Sequence, residues 1–131
     1  MDVEKVLKNL IIANFVVLGI IIAMGVSGYS TLPSALNDYS LALMDEYVFG
    51  TILVLPLLLA YIIAYVLMYK LKPLGRTLFL WTNIVALFLY FFTGPVILDE
   101  LTATLDNLLV LFDGVILGIV YFSPLKEKFT K

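Results

Sequence analysis

Residues 47–69 read YVFGTILVLPLLLAYIIAYVLMY and contain no charged side chain. The apolar residues run on continuously instead of alternating, so no face of this segment suits water. A helix rises about 1.5 Å per residue, and roughly 20 apolar residues cross the ~30 Å hydrocarbon core of a bilayer. A spanning strand would need only ~9–11 residues, alternating in character. The stretch therefore predicts a membrane helix over 48–69. Outward from it, residues 9–37 and 77–98 are also free of charge, and 107–125 are interrupted only by Asp113. Spans are expected near 8–27, 48–69, 76–95 and 106–124. They make residues 1–131 one all-α membrane domain, an antiparallel bundle of four transmembrane helices.

Composition points the same way. Apolar residues make up 63 % of the 131-residue chain and charged residues 14 %, against ~45–50 % and about 25 % in soluble domains. So short a chain has too little interior to hide that much apolar surface from water. The sequence contains no cysteine and no histidine. Thiol chemistry, iron–sulfur ligation and most haem, zinc and copper sites are thereby excluded. No cofactor and no metal site are expected. Nucleic-acid binding is not expected either, because three short basic clusters at helix ends cannot form a groove.

The eight basic residues fix an expected orientation. Lys5 and Lys8 precede the first span. Lys70, Lys72 and Arg76 separate the second and third, and Lys126, Lys128 and Lys131 follow the fourth. All fall on one side, with Asp38, Asp45, Glu46, Asp99, Glu100 and Asp106 on the other. The positive-inside rule then makes both termini cytoplasmic. A bacterial cytoplasmic (inner) membrane is the expected location. The first apolar core, Leu10 to Val26, exceeds the 7–15 residues of a signal-peptide core, which favours a retained span. The tail Leu125–Lys131 reads as an anchor, with Phe129 and its lysines at anionic lipid headgroups.

Lys70–Arg76 is a tight link, so the second and third spans should form a hairpin. The first outer loop is long. Within it Leu32, Leu36, Tyr39, Leu43 and Tyr47 recur at spacings of three and four. This predicts an outer amphipathic segment over about 32–47, with Thr31 capping and Pro33 in the first turn. It would lie at the membrane surface, extend the second span or dock a partner. Pro56 is expected to break or kink the second span.

Three groups of residues are candidates for function. Asp99, Asp106 and Asp113 are spaced by seven, about two helical turns, and would share a face with Thr102 nearby. They outline an electronegative entrance for protons or cations, on a helix begun by Pro95 and capped by Thr93. In a span starting at 106, Asp113 would sit about 8–10 Å below the outer boundary. There it would bond Thr51, Tyr90 or Thr93. If it exchanges its proton it can couple proton movement to a substrate; otherwise it is a packing hydrogen bond. The second group, Asn14, Tyr61, Tyr65 and Asn83, lies at similar depth in the inner half, as a polar pocket or as interhelical hydrogen bonds. The third group is Gly114 and Gly118, with Gly19 and Ala23 as a weaker pair. These small-xxx-small patterns suit helix packing, within the chain or between copies.

In length and span count the chain is similar to the small multidrug resistance transporters. The similarity ends there. That family carries an acid in its first span, where this sequence has Asn14, and the one-sided basic residues depart from dual topology. No phosphate-binding loop or metal-ligand cluster suggests an enzyme. The least demanding expectation is a non-catalytic accessory or scaffold subunit of a membrane assembly. Its partners would be the lipid bilayer, anionic headgroups at the cytoplasmic face, and another membrane protein or a second copy. The alternative is a small proton- or cation-coupled transporter using Asp113.

Overall fold

The computed structural model describes residues 2–93 and 96–130, apart from the side chain of Thr51. Pro95 and Lys131, both used above, lie outside the described residues. Five α-helices and one 3-10 segment follow in order: α1 (Val3–Ser27), α2 (Ser34–Glu46), α3 (Val48–Tyr69), α4 (Pro73–Thr93), α5 (Glu100–Phe122) and the 3-10 segment Pro124–Phe129. No strand occurs among the described residues. Four of the helices, α1, α3, α4 and α5, are long and apolar enough to cross a membrane.

Helix ends follow local chemistry more than the edges of the apolar runs. α1 starts five residues before the expected 8, because the Asp2 carboxylate accepts the backbone N–H groups of Glu4 and Lys5. It stops at Gly28, whose φ of +69° is the left-handed conformation that favours glycine. α5 starts at Glu100, six residues earlier than expected, capped by Asp99 through the N–H of Thr102 at 2.9 Å. Thr93 does not cap it: this residue is the last of α4. α3 occupies its expected span and is continuous through Pro56, so the proline does not break the helix. The missing donor costs one bond while the rest of the ladder and the packing on α4 persist.

α2 is a separate helix joined to α3 through Tyr47. Thr31 does not cap it; Pro33 precedes its first turn and no side chain supplies a cap bond. Of the expected apolar stripe only Leu43 is buried, while Leu36 and Tyr39 remain exposed.

α3 packs along α4, and α1 along α5. Glycines set how closely the first pair approaches. A Cβ at Gly75 would lie 2.6 Å from the backbone nitrogen of Met68, and one at Gly50 would strike the carbonyl of Phe92. The start of α3 thus meets the end of α4, and the end of α3 meets the start of α4. Between them Leu71 adopts φ +55°, uncommon for a branched residue, and its side chain packs on the core. Gly75→Val should therefore force the turn open. A loss of about 1–3 kcal/mol, the range for overpacking, is expected in denaturant unfolding of the detergent-solubilised protein. Gly19→Val, with no chain atom within 4 Å of its added Cβ, should cost far less.

The packed core sits at the end that carries both termini. Leu7 and Ile11 of α1, Tyr65 and Met68 of α3, Phe79 of α4, and Ile116 and Val120 of α5 meet there. Leu125 and Phe129 of the 3-10 segment close this end from below. Phe129 is fully buried, which corrects its expected role as a lipid anchor. Ser123 caps the 3-10 segment through the N–H of Leu125, turning the chain back under the helices. Glu4 then pairs with Lys8 at 2.8 Å and with Lys128, tying the tail to α1.

The small-xxx-small pairs do not mediate this packing. No neighbouring chain atom lies within 4 Å of a Cβ built at Gly19, Gly114 or Gly118, and Gly19, Ala23 and Gly114 are exposed. α1 and α5 instead meet through Asn14, Ile11, Ile116 and their neighbours, whose larger side chains hold the helices further apart.

A candidate acidic cavity between the helices

Asp113 is the fourteenth residue of α5 (Glu100–Phe122), near the middle of the helix and deeper than a start at 106 would place it. At 1.5 Å per residue it lies about 20 Å from the helix start. The Thr51 side chain lies outside the described residues, and neither Tyr90 nor Thr93 bonds Asp113. Asn14 Nδ2 donates to Asp113 Oδ1 at 2.6 Å, and the Tyr65 hydroxyl donates to the same oxygen at 3.2 Å. Asn14 Nδ2 also donates to Tyr65 Oη at 2.9 Å. These three side chains, from α1, α3 and α5, form one buried triangle. The second carboxylate oxygen, Oδ2, accepts no hydrogen bond among the described residues.

Tyr61 donates to Asn83 Oδ1 at 3.0 Å, while Asn83 Nδ2 returns to the Phe79 carbonyl of its own helix. The rings of Tyr61 and Tyr65 lie 5.9 Å apart. The expected polar set is thus brought together in two hydrogen-bonded groups that touch through tyrosine rings. One of these groups contains Asp113. Asn14 is wholly buried, yet its Oδ1 has no hydrogen-bond partner among the described residues.

Above this triangle the helices part. α4 and α5 touch little, and a cavity of about 250 Å³ opens among α1, α3, α4 and α5. Asp113, Tyr65 and Tyr61 line its deep part, and Tyr90, Thr93 and Asp106 line it as well. A larger space of about 600 Å³ adjoins it, bounded by Leu43 and Met44 of α2 and by Val96–Leu98. Val54, Tyr90, Thr93 and Asp106 line both spaces, so Asp106 stands at their junction. On the other side of Asp113 the packed core begins. The hollow therefore lies on the α2 side of Asp113 and ends at the packed core toward the termini.

Asp99 belongs to neither space. It is 5 % exposed and its Oδ2 accepts both the backbone N–H and the hydroxyl of Thr31, each at 3.2 Å. Of the three aspartates at sevenfold spacing, two face the hollow and Asp99 clasps the α1–α2 link to the start of α5. The Thr102 side chain and backbone N–H, with Thr31 beyond them, hold its carboxyl below the ordinary 3.8. A carboxylate with a lowered folded value stabilises above its unfolded value, and that contribution disappears as pH falls through the folded value. Protection of the Thr31 and Thr102 amides, as the ratio of intrinsic to observed hydrogen exchange, should accordingly fall below about pH 4, near the unfolded aspartate value. Asp99→Asn should remove this pH dependence.

The order of residues alone does not join Asn14 and Tyr65 to Asp113. The signal that would have done so is the Asp99-Glu100 helix start, which shifts Asp113 to mid-helix and to the depth of Asn14. No group of side chains suited to a metal ion occurs among the described residues. No protein-family model matches this sequence, and no match was found among curated proteins or solved structures.

Proposed function

We propose that the chain is an integral membrane protein of a bacterial inner membrane, an antiparallel four-span bundle with both termini cytoplasmic. In this reading it binds a cation or proton at Asp113 and serves as a small cation- or proton-coupled transporter. One observation carries this. A mid-helix carboxylate, with one oxygen held by Asn14 and Tyr65 and the other accepting no hydrogen bond among the described residues, lines a cavity that ends at the packed core. Ionisable side chains at such depth are expensive and mark ion or substrate pathways. With the basic residues inside, the α2 side of the cavity faces outward, and Asp106 lies between that side and Asp113. The test is flux: protein reconstituted in liposomes is assayed with a pH-sensitive dye under an imposed cation or proton gradient. Asp113-dependent flux supports the reading, and its absence under every gradient rejects it.

The accessory-subunit reading also has one observation in its favour. Gly114 and Gly118 make no close contact within the chain, which leaves that face of α5 free for another helix. Gly118→Leu should change the monomer's unfolding little, since no neighbouring atom lies within 4 Å of the added Cβ. Loss of a comigrating partner or homo-oligomer on native gels would assign the face to assembly.

A further inference from the structure

We propose that the cavity between Asp106 and Asp113 receives an organic ammonium ion with an apolar or aromatic body. This rests on the reading of Asp113 as a cation site and names its ligand class. Size is the first argument. A dehydrated ion or a water takes roughly 30 Å³, and pockets for drug-sized ligands about 300–1,000 Å³. A cavity of about 250 Å³ suits a molecule between these, a small amine carrying one ring or a short chain.

Charge is the second. Among the lining residues two are acidic and none is basic, so an anion has no partner there. The two carboxylates are seven residues apart on α5, about 10 Å along the axis. A calcium-like ion needs its oxygens within 2.3–2.6 Å of itself, so both acids cannot hold one metal. They can hold a monovalent organic cation in turn, first at the junction and then at the floor.

The walls supply the third argument. Leu18, Leu57, Leu109 and Val110 give apolar surface, and Tyr61, Tyr65 and Tyr90 present aromatic rings. Such rings attract an ammonium within about 6 Å of their centroids. Finally, Asn14 and Tyr65 both donate to Asp113 Oδ1, while its Oδ2 accepts no hydrogen bond among the described residues. A carboxylate oxygen on the cavity wall without a donor favours a ligand that brings N–H donors over one that brings charge alone.

The experiment uses the full chain in lipid nanodiscs and isothermal titration calorimetry with three probes. Phenethylammonium carries the charge and the ring, 2-phenylethanol the ring alone, and methylammonium the charge alone. Phenethylammonium should bind saturably at one site per chain, about tenfold or more tighter than either control, the step that 1.4 kcal/mol makes. Asp113→Asn should weaken it by at least about tenfold. Leu109→Trp fills the cavity while leaving both carboxylates in the sequence and should abolish binding even if Asp113→Asn does not fold. Equal binding of 2-phenylethanol, or binding that survives Leu109→Trp, overturns the proposal. If phenethylammonium does not bind but Asp113-dependent flux persists, the ligand class falls and the cation site stands. If that flux is also absent, both fall.

Discussion

Asp113→Asn is expected to reduce flux in liposomes to that of protein-free vesicles, while the protein still inserts and elutes as one folded species. Asparagine has nearly the shape of aspartate, and its carbonyl oxygen can still accept from Asn14 Nδ2 and Tyr65 Oη, as Asp113 Oδ1 does at 2.6 and 3.2 Å. The packing of α1, α3 and α5 is therefore retained. What is lost is the negative charge and the exchangeable proton. An interhelical hydrogen bond in a membrane contributes about 0.6–2 kcal/mol, so a purely structural Asp113 would change stability modestly and leave any flux intact. A carboxylate that itself carries the cation or proton gives complete loss. Asp106→Asn should act differently, slowing entry several-fold without abolishing transport, because Asp106 stands at the junction and not at the floor. Unchanged flux in Asp113→Asn would leave the assembly-subunit reading as the better one.

The second large effect is at the other end. Phe129→Ala should destabilise the protein by about 3–5 kcal/mol, the range for emptying a buried phenylalanine site. Phe129 is fully buried against the core that Leu7, Met68, Phe79 and Val120 share. It is held on a short 3-10 segment whose other core contact is Leu125. The surrounding residues come from four different helices and cannot collapse together into the space. Phe122, the last residue of α5, is 89 % exposed. Phe122→Ala should fall within about 0.5 kcal/mol of the unaltered protein, as surface substitutions do. Unfolding of both variants in mixed micelles with increasing SDS measures the contrast. Equal, small effects would return Phe129 to the lipid-anchoring role. A large effect also has a functional corollary: loosening the plug below Asp113 should raise leak through the cavity.

These two sites also show what could be read without the fold. The four long helices were legible because each long uncharged run forces its backbone to satisfy its own hydrogen bonds, whatever packs beside it. α3 has its expected bounds because Glu46 and Lys70 enclose the uncharged run and the helix ends, at Tyr47 and Lys70, fall beside them. α1 and α5 did not, because Asp2 and Asp99 are capping residues beyond the apolar runs, and a helix continues past the point where its side chains stop being apolar. The polar side chains Asn14, Tyr61, Tyr65, Asn83 and Asp113 stood out as exceptions in apolar surroundings. Their pairing did not, since depth depends on where each helix starts.

By itself, then, the sequence determined the helices: their number, their approximate limits and their suitability for a membrane follow from local composition and backbone chemistry. Only the tertiary structure decided which of three equally spaced aspartates is a structural clasp and which two face a cavity. It also decided that Gly50 and Gly75 carry the close approach while Gly114 and Gly118 do not, and that Phe129 is core. Spacing along a helix specifies a face but not what lies opposite it. That depends on how far each helix is rotated and held apart by the side chains of its neighbours, a property of the packed whole.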